Sequence, residues 1–123
     1  MKSIKIAVAA LVAVTPLAAA QAMPVSDFLT KAEALKKKGP MALFSSDYKK
    51  LKGEVQNAGQ VVRAREASDR KAGRKPATCL PNKDATDSDE LLAYFKSIPP
   101  AQRSISVNDA FFNLMKRKFP CAA

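Results

Sequence analysis

The chain has 123 residues, a formal net charge of +10 and no histidine. Without histidine, neither Ser-His or Cys-His nucleophilic catalysis nor a His-ligated zinc site can be assembled. The length suits one small domain, and the positive charge favours acidic partners without choosing among them.

Residues 1–22 have the pattern of a secretory signal peptide. Two lysines precede an uncharged run of Ile, Ala, Leu and Val, and Ala20-Gln21-Ala22 fits the small-residue pattern for cleavage before Met23. The apolar run is short for a helix that spans a bilayer. We therefore expect export, removal of residues 1–22, and one soluble periplasmic domain over residues 23–123 with no stable membrane insertion.

The first predicted helix has Ser26 as its N-cap and ends before Gly39-Pro40. Asp27 and Lys31 have the spacing of an ion pair along this helix. Its apolar stripe consists of Phe28, Leu29, Ala32 and Leu35. The lysines at its end, Lys36 to Lys38, are explained by their interaction with the helix dipole.

A short apolar turn and the longest helix are predicted next. Pro40 to Phe44 is expected to form one helical turn that buries its large side chains, which are Met41, Leu43 and Phe44. The long helix starts after N-cap candidates at 45–47 and runs to about Ala72, before Gly73. Its narrow apolar seam consists of Tyr48, Leu51, Val55, Ala58 and Val62.

The second half of the long helix is the most basic stretch of the chain. Because it has almost no large apolar side chain beyond Val62, we expect it to extend into solvent. Two interpretations stay open for its cations: a solvated helix face, or a protruding arm that binds an acidic partner. The candidate partner-binding residues are Arg63, Arg65, Arg70, Lys71, Arg74 and Lys75.

Two further helices are predicted in the C-terminal half. Asp87 and Ser106 are N-caps with acidic residues three positions later, and Pro99-Pro100 separates the two helices. No segment has the alternating pattern of a strand. The predicted fold is an all-α, small bundle of four main helices with one long helix.

Cys79 and Cys121 are the only cysteines. In an exported protein an isolated pair is usually a disulfide, and the pair lacks the C-x-x-C spacing of redox motifs. We predict that the two are bonded.

The sequence offers no other recognisable chemistry. It has neither the G-x-x-x-x-G-K pattern nor the G-x-G-x-x-G pattern of nucleotide-binding loops. The acidic cluster at 84–90 lacks the ligand spacing and the glycine of a calcium-binding loop. The basic residues also lack the interleaved aromatics of a nucleic-acid-binding surface. We therefore expect no enzyme activity, no cofactor, no metal and no nucleic-acid partner.

Four landmarks in the C-terminal half carry a family resemblance. These are Cys79-Leu80-Pro81, Tyr94-Phe95, Pro99 and Phe119-Pro120-Cys121. Over residues 79–121 the chain resembles the Tai/Rap family of type VI secretion immunity proteins. The resemblance implies a small all-α periplasmic protein that binds and blocks a peptidoglycan-cleaving amidase effector.

A second hypothesis is an envelope-associated structural protein that binds anionic surface polymers through its basic residues. An inhibitor should form a stoichiometric complex that survives moderate salt, whereas adsorption to a charged surface should weaken steeply as salt screens it. The oligomeric state stays open, with a homodimer among the alternatives.

Overall fold

A computed structural model describes residues 23–122, so the predicted signal peptide lies outside the described residues. Within this range the chain forms four α-helices: α1 (Val25–Lys38), α2 (Ser46–Lys71), α3 (Ser88–Ser97) and α4 (Val107–Lys118). Two 3-10 helices lie between them, at Gly39–Phe44 and Pro100–Gln102. The only extended pairing in the described range is one isolated bridge. The prediction of an all-α fold with one long helix is confirmed.

The core is formed by the apolar stripes of α1, α3 and α4 and by the seam of α2. Phe95 of α3 is fully buried, and the edge of its ring meets Phe28 of α1 with 5.2 Å between the ring centroids. Leu51, Ala58 and Val62 are the buried members of the α2 seam. Since α2 packs most extensively on α4, the long helix forms one wall of the core along its length.

Three helices begin with side-chain caps at residues that the sequence predicts. The backbone N–H of Asp109 donates to the Ser106 hydroxyl at the start of α4, over 3.1 Å. Equivalent bonds at the starts of α2 and α3 are accepted by Ser45 and Asp87. Each cap satisfies one backbone donor that the helix itself leaves free.

The start of α1 differs from its prediction, because Ser26 is not an N-cap. The helix begins two residues earlier than that cap implies, at Val25, and no side chain caps it. Instead, the N–H groups of Val25 and Ser26 donate to the carbonyls of Ile105 and Arg103, each over 2.9 Å. A distant backbone segment thus replaces the local cap, and a sequence pattern for caps cannot reveal it.

These two serines form a matched pair for a stability measurement. We expect Ser106→Ala to lower the free energy of unfolding by about 1 kcal/mol, because the N–H of Asp109 loses its acceptor. Ser26→Ala should change it by less than about 0.5 kcal/mol, since its side chain caps nothing. Urea unfolding followed by circular dichroism measures both, and equal losses would contradict the assignment.

The predicted pairing of Asp27 with Lys31 along α1 is also wrong. Lys31 lies 3.5 Å from the carboxylate of Asp47, at the start of α2. Glu33 likewise pairs across helices, with Lys96 of α3 at 3.2 Å. Both ion pairs join α1 to a neighbouring helix rather than supporting it along its own surface.

The C-terminal half of α2 is largely exposed, as predicted, but one face of it is covered by a later segment of the chain. After the turn at Gly73 the chain folds back, and Pro76 and Thr78 are buried against the helix. Glu66 is only 5% exposed. Its carboxylate accepts hydrogen bonds from the Thr78 hydroxyl at 2.9 Å and from the N–H of Leu80 at 2.8 Å. This buried acid therefore fastens the returning segment to α2.

The predicted disulfide is present. Cys79 and Cys121 are bonded, with 5.0 Å between their Cα atoms and a sequence separation of 42 residues. The N–H of Cys79 also donates to the carbonyl of Phe119 over 2.8 Å. The bond joins the segment that follows α2 to the segment that follows α4.

Candidate partner-binding surfaces

The 3-10 helix between α1 and α2 carries exposed apolar side chains. Met41 is 70% exposed, Leu43 59% and Phe44 82%, which contradicts the prediction that this turn buries them. Gly39 has a φ of +61°, in the left-handed region, and redirects the chain at the end of α1. Of the apolar residues in the turn, Ala42 packs against the core. We call Met41, Leu43 and Phe44 the apolar turn.

A largely apolar groove of about 750 Å³ lies beside the apolar turn. Its walls come from α1, the turn, α2 and the start of α3, and its apolar lining includes Leu35, Leu43, Tyr48, Leu51 and Leu92. An exposed apolar cluster next to a concave apolar surface is typical of a binding region rather than of an inert surface.

Lysines flank the apolar turn on both sides in the chain. We call these the flanking lysines: Lys36, Lys37, Lys38, Lys49, Lys50 and Lys52. All six are exposed, and none has a carboxylate oxygen within 4.0 Å among residues 23–122. Lys36 and Lys52 line the groove together with Leu43. The nearby ammonium of Lys96 lowers the pKa of Lys36, so positive charges already crowd one another here.

The basic residues predicted to form a binding arm do not share one surface. Arg63 donates to the carbonyl of Pro81 at 2.8 Å, and so supports the loop after the disulfide. Arg70 lies beside the disulfide, with 3.6 Å between its Nη2 and the Sγ of Cys79. Arg74 pairs with Asp69 at 3.2 Å. Lys71 and Lys75 are exposed, and neither makes an ion pair within the described range. Several of these cations therefore have roles in the fold.

Arg65 faces a different environment, which we call the arginine–aromatic site. Its guanidinium lies over the ring of Phe112, 4.9 Å from the centroid, and Lys116 lies at the same distance from that ring. A hollow of about 450 Å³ adjoins the pair, and its apolar walls include Val61, Ala64 and Pro76. In protein interfaces, arginine and aromatic side chains that pack in or beside a pocket are among those that contribute most of the binding free energy.

Phe112 is a residue that the sequence reasoning missed. It does not belong to the buried face of α4, which comprises Val107, Ala110, Phe111, Leu114 and Met115. In the structure it is half-buried and lies on the side of α4 that meets Arg65. The sequence signal that could have identified Phe112 is that it is an aromatic residue outside the apolar face of its helix.

Two members of the acidic cluster have structural roles. Asp87 caps α3, and Glu90 accepts hydrogen bonds from Lys118 and from the Thr86 hydroxyl. The hydrogen bond from Lys118 lowers the pKa of Glu90 most, and the bond from Thr86 lowers it further. Within residues 23–122 no group of three His, Cys, Asp or Glu side chains is arranged to hold a metal ion.

Among the described helices, none is both long and apolar enough to cross a bilayer. Comparison with models of protein families, with characterised proteins and with solved structures finds no match to this chain.

Proposed function

We propose that the protein is an exported, non-catalytic binding protein that inhibits a peptidoglycan-cleaving amidase delivered by type VI secretion. The resemblance over residues 79–121 suggests this class of partner. The observation that carries the proposal is the arginine–aromatic site, where Arg65 and Phe112 stack beside a hollow with apolar walls. An inhibitor needs such a preformed anchor, because binding then orders few side chains.

The surrounding structure supports a rigid anchor. Arg65 belongs to an uninterrupted helix, and the segment that returns along that helix is held by Glu66 and by the disulfide. Lys71 and Lys75, on the last turns of α2 and just beyond it, have no intramolecular ion pair in the described part of the chain. They are free to attract an acidic surface on the amidase and to speed its association.

The experiment is titration of the protein into a purified type VI amidase effector from the same organism, with release of peptide from purified peptidoglycan as the activity. We expect complete inhibition at one inhibitor per enzyme. Arg65→Glu and Phe112→Ala should each raise the dissociation constant at least tenfold, which corresponds to about 1.4 kcal/mol. Calorimetry measures this affinity independently of the activity.

Lys37→Glu is the matched control, since it makes the same charge reversal at an exposed position on another helix. It should change the dissociation constant less than threefold at moderate salt. Absence of inhibition by the unmodified protein, or equal effects of Arg65→Glu and Lys37→Glu, would contradict the proposal.

A further inference from the structure

We propose that the apolar turn and the flanking lysines dock the protein peripherally on an anionic phospholipid surface. Met41, Leu43 and Phe44 would enter the headgroup region, and the lysines would bind lipid phosphates around them. This inference does not depend on the amidase. It concerns a different surface from the arginine–aromatic site.

Exposure of the apolar turn is the first observation. Its three large side chains are each more than half exposed and come from four consecutive positions. Because these side chains are exposed where α1 connects to α2, they can enter a fluid lipid layer without a matching cavity. Exposed apolar side chains that insert a short way into a bilayer hold peripheral proteins at the boundary between headgroups and acyl chains.

Charge is the second observation. Between positions 36 and 52 of the sequence there are six lysines and one carboxylate, that of Asp47, which is engaged by Lys31. Asp84 and Asp87, from the segment before α3, line the groove beside the turn. A second copy of this chain would bring equal positive charge to the same place, so self-association through the turn is disfavoured. An anionic surface is complementary to it, and each lysine close to such a surface adds to the binding.

The identity of the cations near the apolar turn favours lipid over protein as its binding partner. All six arginines of the chain lie at position 63 or later, and none lies near the apolar turn in sequence. Arginine is enriched and lysine depleted in protein–protein interfaces, so a surface whose cations are all lysines favours lipid over protein. Lysine is attracted to anionic lipid as arginine is. The chain thus separates an arginine-containing surface suited to a protein from a lysine-flanked apolar surface suited to lipid.

The test is sedimentation of the purified, disulfide-bonded protein with unilamellar vesicles. Vesicles of phosphatidylcholine alone are compared with vesicles that also contain phosphatidylglycerol. We expect at least tenfold tighter binding to the anionic vesicles, which weakens as salt is raised. The double substitution Leu43→Ser with Phe44→Ser should weaken that binding at least tenfold, and it leaves the buried core untouched.

Two pairs of lysines provide the control for net charge. Lys37→Ala with Lys38→Ala removes two flanking lysines, whereas Lys71→Ala with Lys75→Ala removes the same charge at and just beyond the other end of α2. The first pair should weaken binding about tenfold and the second less than threefold. Equal effects would mean that binding follows total charge alone, which would overturn the proposal.

A fluorescent probe reports insertion directly, because the chain contains no tryptophan. Phe44→Trp should shift its emission to shorter wavelength when phosphatidylglycerol vesicles are added. Gln102→Trp is exposed near the start of α1, at the opposite end of that helix from the turn, and should show no shift. No shift at position 44 would overturn the proposal. The proposal would also be overturned if substitutions in the apolar turn weakened binding to the amidase but not binding to vesicles, since the turn would then belong to a protein interface.

Discussion

Replacing both cysteines with serine is expected to lower the midpoint of thermal unfolding by roughly 15 to 30 °C. The bond between Cys79 and Cys121 closes a loop with a sequence separation of 42 residues. In the chain-entropy model such a loop stabilises the folded state by about 4 kcal/mol. In a domain of this size each kcal/mol corresponds to about 4 to 8 °C.

Reduction provides the control for the cysteine experiment. A thiol reductant should lower the midpoint of the unmodified protein to that of the double-serine variant, and it should leave the variant unchanged. Scanning calorimetry at one scan rate compares all four samples. A midpoint that neither the reductant nor the substitutions change would show that the bond does not stabilise the fold.

The second large effect is expected at Glu66. Glu66→Ala should lower the free energy of unfolding by about 3 to 5 kcal/mol, because it leaves the buried hydroxyl of Thr78 and the N–H of Leu80 without their acceptor. The returning segment loses its attachment to α2 at the same time. Since domains of this kind are stable by about 5 to 15 kcal/mol in total, the variant should lose a large share of its stability.

Glu66→Gln separates hydrogen bonding from charge. Its amide oxygen can accept the same two bonds, so the loss should be only about 1 kcal/mol. Urea unfolding of both variants gives the comparison. If the glutamine variant were as unstable as the alanine variant, the negative charge and its neighbour Arg70 would account for the stabilisation instead of the two hydrogen bonds.

The helices were predictable because their signals are local. Apolar spacing identifies the buried face of each helix, and Ser45, Asp87 and Ser106 cap at the positions that their side chains suggest. The disulfide was predictable for a different reason: a chain with a predicted export signal and two cysteines leaves one pairing to consider.

The misplaced features depend on contacts between distant segments. Glu66 is buried because residues 76–80 return along α2, and no pattern near Glu66 encodes that return. Lys31 and Asp47 meet across two helices although the spacing of Asp27 and Lys31 favoured a pair within one. Met41 and Phe44 are exposed although they are apolar. The hydrophobicity of a side chain indicates how favourable its burial would be, but it does not indicate whether the fold provides a place for it.

For the candidate site, the sequence located a basic stretch but not its arrangement. Arg63 and Arg65 are two residues apart on one helix, so they point to different sides. One supports a loop and the other stacks on Phe112. Which cations are available to a partner thus depends on the packing of α4 and of the returning segment, neither of which local composition reveals.

The unbroken length of α2 sets a fixed spacing between the two proposed surfaces. The apolar turn precedes its first residue, Ser46, and Arg65 lies nineteen positions further on, which corresponds to roughly 28 Å at 1.5 Å per residue. That separation is comparable to the diameter of a small domain, so the two surfaces lie towards opposite ends of α2. A copy held by lipid at the apolar turn would carry the arginine–aromatic site with it, and confinement to a surface would raise the local concentration at which that site meets an arriving enzyme.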